Sequence, residues 1–446
     1  MSRIAVSKLP IDPGPAAWNE LLPNAPRPQS VEGHLTADWI VIGAGFAGLA
    51  AARRLSQLCP SDRISLLEAR RVAEGPAGRN SGFMIDLPHD LASADYGGAR
   101  EKDRALTADN RHAIAFAAEM AREFGLGEDV FSQSGKINGA ATAKGHAHNC
   151  EYAAHLASMD EASEMLDAQS MKDLTGTDYY RSGLYTAGTA MIQPAAYVRG
   201  VAQGLSSNRV QIFENSPVTG LNRDGDWTAT TPAGKVTAPK VILAVNGHLN
   251  SFGFLENHLM HVFTYASMTR PLSAAEMARL GGQRVWGITP ADPMGTTVRR
   301  ISSPEGDRII VRNRFTFDPS MEVDQRRITR VARDHDRAFC ARFPMLADVD
   351  MQYRWGGRLC LSRNNVSVVR EVDEGLFAAC CQNGLGTTRG TLAGILAAEL
   401  ATNTKSDRLD RMLADAEPTK LPPRLITKYG ANGYLRVQEL KAGREL

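Results

Sequence analysis

Near its N-terminus the chain reads Asp38-Trp39-Ile40-Val41-Ile42-Gly43-Ala44-Gly45-Phe46-Ala47-Gly48-Leu49-Ala50-Ala51-Ala52. The β-branched apolar run predicts a buried strand, and the alanine-rich run after the glycines predicts a helix. Gly43 permits a tight turn, Gly45 lets a pyrophosphate approach the backbone, and Gly48 lets the helix pack close to the strand. We therefore expect phosphate groups to bind at the helix N-terminus, where the N–H groups of Phe46 and Ala47 lie.

A second apolar run, Ile64-Ser65-Leu66-Leu67, ends in Glu68, twenty residues after Gly48. An acid at this distance binds a ribose diol in dinucleotide-binding units, and its charge would repel a 2′-phosphate. We expect the adjacent Ala69 and Arg70 to lie at the same site. Within about thirty residues the chain thus has a strand, the glycine motif, a helix, a second strand and an acid. This order predicts a Rossmann-like unit, and the alternative is a glycine-rich turn of an unrelated α/β domain.

The composition is that of an ordinary globular protein and favours two closely joined domains. The chain has 446 residues, of which 43% are hydrophobic and 22% charged, and its net charge is +2. Without a basic run interleaved with aromatics, nucleic-acid binding is not expected. The N-terminus lacks an apolar signal core, and no stretch approaches the length of a transmembrane helix. We therefore expect a cytoplasmic protein with no transmembrane segment.

Cysteine and histidine spacing argues against a metal site. The six cysteines form no C-x-x-C pair, which fits a reducing compartment. His146 and His148 are two residues apart on a predicted loop, where solvated side chains are expected. The sequence also shows no nucleophile elbow of the hydrolase type. A bound organic cofactor is the remaining carrier of reactivity.

A loop of small and hydrogen-bonding residues follows the Rossmann-like unit: Glu74-Gly75-Pro76-Ala77-Gly78-Arg79-Asn80-Ser81-Gly82-Phe83-Met84. Such a loop can approach a flat ring system, although an ordinary surface turn has similar composition. A comparable turn lies near the C-terminus, where Leu376–Cys380 predicts a strand, 382–388 a glycine turn and 389–400 a helix. Its alternative is a plain βα unit.

The stretch Glu68-Ala69-Arg70-Arg71-Val72, followed by Gly78-Arg79-Asn80-Ser81-Gly82, resembles the second strand and flavin loop of the D-amino-acid-oxidase-like FAD-dependent oxidoreductases. Within them the chain is most similar to the gamma-glutamylputrescine oxidoreductase branch, where a loop of the "GASGRNGG" type follows "LEA". The resemblance covers nearly the whole chain and includes Lys240–His248, which resembles the closing strand "VILATNGY", and Tyr353–Arg358, which resembles a "WGG" strand near the flavin. Residues 362–369 depart from the family pattern "TxDxxPxIG".

The resemblance implies FAD as the cofactor. We call residues 74–84 the flavin loop and expect it to meet the turn at 384–387 at the flavin ring. The expected cofactor-binding residues are Gly43, Gly45, Phe46, Ala47, Gly48, Glu68, Ala69, Arg70, Arg79, Asn80, Ser81, Gly82, Val218, Asn246, Gly247, Gly384, Leu385, Gly386, Thr387 and Thr388. Because the flavin loop holds neither His nor Cys, we expect FAD to be bound non-covalently. Covalent attachment stays open as an alternative through Cys360.

The expected fold class is α/β for the Rossmann-like FAD-binding domain and α+β for the chain overall. A substrate domain with a largely antiparallel β-sheet is expected to be inserted into the FAD-binding domain. Residues 1–36 form a proline-rich lead-in segment with a short helix near Trp18. The FAD-binding domain takes residues 37–100, 190–257 and 371–403, and the substrate domain takes 101–189 and 258–370. Residues 404–446 form a peripheral tail with some helix.

The resemblance implies oxidation of a C–N bond in a small amine or N-substituted amino acid. A hydride is expected to pass to flavin N5, and water is expected to hydrolyse the resulting imine. The expected electron acceptor is oxygen or a quinone. Candidate catalytic or substrate-contacting residues are Tyr265, Arg312, Arg314, Arg354 and Arg358. Strand alternation puts Arg312 and Arg314 on one face, where both can meet a carboxylate; solvated sheet edges are the alternative. A monooxygenase or dehydrogenase with another reductant, or a non-catalytic FAD-binding protein, stays open as an alternative function.

Overall fold

The structure is a computed structural model that describes residues 2–23, 25–88 and 99–446. Residues 89–98, within the predicted segment 37–100, lie outside the described residues. The strands are β1 (Arg3–Ala5), β2 (Gly33–Thr36), β3 (Trp39–Ile42), β4 (Ile64–Leu67), β5 (Phe83–Met84), β6 (Phe131–Ser132), β7 (Lys136–Ala140), β8 (Glu164–Leu166), β9 (Ser182–Thr186), β10 (Ala190–Ile192), β11 (Val210–Phe213), β12 (Gly220–Asp224), β13 (Asp226–Thr230), β14 (Gly234–Ala238), β15 (Lys240–Leu243), β16 (Leu259–Thr269), β17 (Trp286–Pro290), β18 (Thr297–Ile301), β19 (Arg308–Phe317), β20 (Met351–Ser362), β21 (Val368–Asp373) and β22 (Leu376–Cys380). The helices are α1 (Ala17–Glu20), α2 (Phe46–Leu58), α3 (Arg100–Glu123), α4 (Ala143–Ser158), α5 (Ala168–Thr175), α6 (Pro194–Leu205), α7 (Ala274–Leu280), α8 (Gln325–Arg342), α9 (Thr388–Ala401), α10 (Asp407–Ala414) and α11 (Arg424–Ala442).

A six-stranded, mostly parallel sheet carries the glycine motif. Its order is β11-β4-β3-β15-β22-β21, and only β21 runs antiparallel to its neighbour. Every residue of β3, β4 and β22 is buried, which explains their continuous apolar runs. Helices α2 and α9 pack so closely that a Cβ on Gly394 would lie 2.0 Å from the Ala47 carbonyl oxygen. The sheet thus brings two helix N-termini to its carboxyl edge.

An eight-stranded sheet forms the second layer of the molecule. Its order is β20-β16-β19-β18-β17-β7-β9-β8, and its pairs are antiparallel except β17 with β7. Helix α8 packs on it through Ile328 and Val331, which contact Phe263 and Tyr265. The predicted fold class, a Rossmann-like domain with a largely antiparallel second sheet, is confirmed.

The lead-in segment lies against the body of the protein, and it contains the short helix expected near Trp18. Strand β1 pairs with β12, and Trp18 on α1 is fully buried. The Trp18 indole N–H donates to the Asn80 carbonyl oxygen at 2.9 Å, and the Asn19 side chain donates to the Ala73 carbonyl oxygen at 2.7 Å. The lead-in segment is therefore bonded directly to the flavin loop and to the turn before it.

Two sequence predictions fail here. His146 and His148 lie in helix α4 and not on a loop; Thr142 caps this helix by accepting from the Gly145 N–H at 2.9 Å. The C-terminal tail contains helix, but its end is not peripheral, because the buried Glu445 carboxylate accepts from the N–H groups of Ala141 and Thr142, both at 2.9 Å. A local cap fixes the start of α4, whereas hydrogen bonds between residues more than 300 positions apart fix the C-terminal end.

Candidate active site

The turn between β3 and α2 has the geometry that its glycines predict. Gly43 has φ of +103°, and a Cβ there would lie 2.6 Å from the Ala244 carbonyl oxygen. A Cβ on Gly48 would lie 1.7 Å from the Gly43 carbonyl oxygen, whereas at Gly45 the nearest atom is 3.5 Å away. Two glycines therefore shape the turn, and the third leaves its backbone open to a ligand.

The start of α2 has no side-chain cap among the residues that the structure describes. Gly45 occupies the N-cap position, and the first turn of the helix holds no acidic residue. Helix α9 likewise begins after Thr387 without a capping side chain or an acid. Both helix ends favour an anion or a developing negative charge.

A large cavity of about 230 Å³ joins these two helix ends. We call it the cofactor cavity. Most of the predicted cofactor-binding residues line it: Gly43, Gly45, Phe46, Ala47, Glu68, Ala69, Arg70, Asn80, Ser81, Val218, Asn246, Gly247, Gly384, Gly386 and Thr387.

Glu68 lies at the end of β4 inside this cavity. Its carboxylate accepts from the N–H of Ala44 at 2.8 Å and from the N–H of Arg70 at 3.1 Å. Burial raises the pKa of the Glu68 carboxyl, while the hydrogen bonds from Ala44 and Arg70 act in the opposite direction. The acid is thus held in a fixed orientation beside the glycine turn.

The other predicted cofactor residues support the cavity from behind. Gly48 packs α2 on β3, and a Cβ on Gly82 would lie 2.4 Å from the Ile192 carbonyl oxygen. Leu385 packs with Phe83, and Thr388 is fully buried at the start of α9. These residues position the two turns.

Arg79 connects the flavin loop to two other parts of the chain. Its guanidinium donates to the carbonyl oxygens of Glu74 at 2.7 Å, Pro13 at 3.2 Å and Gly356 at 3.3 Å, and also to that of Gly14. Burial lowers the pKa of this guanidinium. Arg79 therefore holds the lead-in segment and β20 against the flavin loop.

A smaller chamber of about 60 Å³ adjoins the cofactor cavity. We call it the side chamber. The residues that line both spaces are Pro76, Asn80, Ser81, Arg358, Leu359 and Gly384. Three of the five candidate substrate residues, Tyr265, Arg312 and Arg358, line the side chamber.

Tyr265 and Arg358 are buried, and Arg312 is half-buried. The first offers a hydroxyl group, and the two arginines offer guanidinium groups. The Tyr265 hydroxyl lies 2.6 Å from the Thr316 hydroxyl, and burial raises its pKa to about 12. The Arg358 guanidinium donates to the Met321 carbonyl oxygen at 2.9 Å, and burial lowers its pKa. Arg312 lies over the Phe315 ring at 4.8 Å. The side chamber thus brings the guanidinium groups of Arg312 and Arg358 together with a neutral phenol, and Arg79 also lines it.

Arg314 and Arg354 lie elsewhere. Arg314 has φ of +62° at a β-bulge, and its guanidinium pairs with Asp334 and with Glu439 at 2.9 Å. Arg354 pairs with Asp336 at 2.7 Å. The prediction that Arg312 and Arg314 share one face by alternation is wrong, because the bulge interrupts the two-residue period.

Sequence reasoning missed several cavity residues. Val6, Lys8, Leu9, Pro10 and Asp12 of the lead-in segment line the cofactor cavity, as do Ser216, His248, Cys360 and Gln382. His248 ends the stretch that resembles the closing strand, Gln382 begins the predicted glycine turn, and Cys360 is the candidate for covalent attachment. The others lie in no motif, and only the tertiary fold brings them to the cavity.

Two of these missed residues have shifted pKa values. Burial lowers the pKa of His248 to about 2. A hydrogen bond with Cys381 and burial raise the pKa of the Cys360 thiol well above its ordinary value. Both side chains are therefore neutral at pH 7.

The cavity suits a dinucleotide, because the N-termini of α2 and α9 and the acid Glu68 meet in one space. The part of the chain that the structure describes contains no group of three or more His, Cys, Asp or Glu side chains arranged to hold a metal ion. Nor does any helix within those residues have the length and apolarity to cross a bilayer.

Comparison with known proteins agrees with this geometry. The model of the DAO family, described as FAD dependent oxidoreductase, matches residues 38–400. The probable oxidoreductase OrdL of Rhizobium meliloti (strain 1021) is 25% identical over 417 residues, which cover 90% of this chain and 91% of that protein. Gamma-glutamylputrescine oxidoreductase of Escherichia coli (strain K12) is 24% identical over 399 residues, which cover 82% of this chain and 84% of that protein.

A solved structure shows the same fold. Glycine oxidase from Geobacillus kaustophilus aligns with a TM-score of 0.67 at 15% identity, covering 84% of this chain and 96% of that one. The resemblance found in the flavin loop and the glycine motif is thereby confirmed over most of the chain. The chain belongs to the DAO family of FAD-dependent oxidoreductases, and FAD is its cofactor.

Proposed function

We propose that this enzyme oxidises a C–N bond of a small amine or N-substituted amino acid that carries a carboxylate. The observation that carries the proposal is the side chamber, which meets the cofactor cavity at Arg358 and contains a second guanidinium, that of Arg312. Residues that line the cofactor cavity would hold FAD, which would supply the acceptor for a hydride from the carbon next to the nitrogen. The substrate nitrogen loses a proton, and water converts the resulting imine to a carbonyl compound and a smaller amine.

Two of the arginines that line the side chamber, Arg312 and Arg358, support a carboxylate-bearing substrate. A guanidinium binds a carboxylate through two parallel N–H groups, and this pairing is strongest where water is excluded. Arg358 is 7% exposed, and Trp355, which also lines the side chamber, is 1% exposed. The chamber therefore gives a carboxylate both charge and a dry environment.

Tyr265 is assigned a binding role and not that of a base. Its pKa of about 12 keeps the hydroxyl protonated at pH 7, so it orients the substrate by hydrogen bonding. A neutral amine needs no strong side-chain base to lose a hydride, because its nitrogen lone pair stabilises the developing cation.

The matched relatives support the substrate class. One is named for gamma-glutamylputrescine and one for glycine, and both names denote amine or amino-acid chemistry. Their names and the arginines of the side chamber lead independently to amines that carry a carboxylate.

The proposal is tested by incubating the FAD-loaded enzyme with amines, N-substituted amino acids and hydroxy acids, followed by mass spectrometry of the products. We expect a carbonyl compound and a shortened amine from at least one carboxylate-bearing amine. Hydrogen peroxide formation identifies oxygen as the acceptor, and turnover only with an added quinone identifies a dehydrogenase. Consumption of a hydroxy acid, with every amine unchanged, contradicts the proposal.

A further inference from the structure

The lead-in segment forms one wall of the cofactor cavity. Five of its residues line the cavity: Val6, Lys8, Leu9, Pro10 and Asp12. The Val6 N–H donates to the Thr219 carbonyl oxygen at 3.0 Å, and the Ser7 N–H donates to that of Ser251 at 2.9 Å. Because Arg79 also bonds to Pro13, the wall is held on both sides of Asp12.

Asp12 is a buried carboxylate whose hydrogen-bonding capacity is unused. It is 6% exposed, and neither carboxylate oxygen has a hydrogen-bond partner among the residues that the structure describes. The Arg358 guanidinium lies 3.8 Å away, close enough for attraction but too far for a hydrogen bond. Buried carboxylates are as a rule hydrogen-bonded, and because Asp12 lines the cofactor cavity, the occupant of that cavity can supply the donors.

The donors available in FAD are mainly hydroxyl groups. The motif assigns the adenosine ribose diol to Glu68, at the glycine-turn end of the cavity. Asp12 adjoins Arg358, which lines both the cofactor cavity and the side chamber. The ribityl chain is the part of FAD that carries hydroxyl groups between the pyrophosphate and the ring. A phosphate group beside Asp12 would be repelled, because both groups are negatively charged.

We propose that Asp12 accepts hydrogen bonds from the ribityl hydroxyls of FAD, which makes the lead-in segment part of the cofactor site. The inference rests on the FAD assignment and not on the proposed substrate. Arg358 offsets the charge of the carboxylate without using its acceptor sites, so these remain free for the cofactor.

The first test measures the release of FAD from the holoenzyme by the rise in free-flavin fluorescence. We expect Asp12→Asn and Asp12→Ala to release FAD about 10- to 100-fold faster, as for loss of a hydrogen bond to a charged group. The matched control is Glu20→Gln, which alters an exposed carboxylate of the same segment and should leave the release rate unchanged. A wild-type release rate in both Asp12 variants overturns the proposal.

The second test separates contact with FAD from a structural role. The full-length chain stripped of FAD is titrated with ADP, which lacks the ribityl group, and its melting temperature is recorded. We expect Asp12→Asn to keep the wild-type ADP affinity and melting temperature, and Glu68→Gln to weaken ADP binding. Equal losses of ADP and FAD affinity in Asp12→Asn, or a lowered melting temperature of the stripped chain, overturn the proposal. Because no substrate is present, neither test depends on amine oxidation.

Discussion

The Thr387 hydroxyl donates a hydrogen bond to the Phe83 carbonyl oxygen at 2.6 Å, which joins two turns that lie 304 residues apart in the chain. Phe83 ends the flavin loop region that lines the cofactor cavity, and Thr387 precedes α9. One short bond thus connects the two turns that flank both the cofactor cavity and the side chamber.

Thr387→Val should weaken FAD retention and lower the free energy of unfolding by about 1–2 kcal/mol, because it leaves a buried carbonyl without this donor. Chemical denaturation and the FAD release rate measure the two effects. Thr391→Val is the matched control, since the Thr391 hydroxyl is also buried but donates within its own helix to the Thr387 carbonyl oxygen. Equal effects of the two substitutions would show that the connection between the turns is unimportant.

Gly45→Ala and Gly48→Ala should separate cofactor binding from folding. A Cβ on Gly45 meets nothing closer than 3.5 Å, so the variant should fold with near wild-type stability but bind FAD weakly. A Cβ on Gly48 would lie 1.7 Å from backbone, so that variant should lose stability outright. Thermal melting and FAD titration provide the comparison, and full FAD affinity in Gly45→Ala would argue against backbone contact with the pyrophosphate.

The fold and much of the lining of the cofactor cavity could be predicted because their determinants are local. The glycine turn, Glu68 and the flavin loop each follow a strand of the parallel sheet, so chain order alone brings them to one edge. The N-terminal wall could not be predicted, because Asp12 reaches the cavity through pairing of β1 with β12 and the bonds from Arg79.

The arginines show where periodicity fails as a guide. Alternation along β19 requires a regular ladder, but the bulge at Arg314 turns this side chain toward Asp334 and Glu439. A bulge has no reliable sequence signal in a strand without glycine. Of two arginines that are equivalent in the sequence pattern, only Arg312 lines the side chamber.

Arg312→Gln should raise KM for a carboxylate-bearing amine at least 30-fold, corresponding to about 2 kcal/mol or more of lost binding, with FAD affinity unchanged. Steady-state kinetics and FAD titration measure both quantities. Arg330→Gln, at an exposed position of α8, is the control and should leave KM unchanged. An unaltered KM in Arg312→Gln would remove this residue from the substrate site.

The enzyme should lose stability in acid partly through His335. This buried side chain bonds to the Ser267 hydroxyl at 2.7 Å, and burial lowers its pKa to about 3. Its contribution is fully present above the unfolded-state pKa of about 6.5 and declines as pH falls from there toward 3, because only the unfolded chain takes up the proton. Between pH 7.5 and 4.5 the decline amounts to about 2–3 kcal/mol.

Denaturant unfolding of wild type and His335→Gln at pH 7.5 and pH 4.5 checks this linkage. The variant loses the Ser267 contact at both pH values but should show the smaller decline in stability. The same decline in both proteins would rule out His335 as a source of the acid sensitivity.

We predict that FAD is bound without a covalent link. Cys360 lines the cofactor cavity, but its raised pKa keeps it a thiol, and the thiolate is the nucleophilic form. Acid precipitation of the holoenzyme should therefore leave the flavin colour in the supernatant. Colour that stays with the precipitate, and is lost in Cys360→Ala, would show a covalent link.

Anaerobic mixing of the holoenzyme with candidate reductants, followed by flavin absorbance near 450 nm, tests the central proposal most directly. The proposed function predicts rapid bleaching by at least one amine or N-substituted amino acid, slower bleaching at the same concentration in Arg312→Gln, and no bleaching by NAD(P)H or hydroxy acids. Bleaching by NAD(P)H or a hydroxy acid, with no response to any amine, would contradict it.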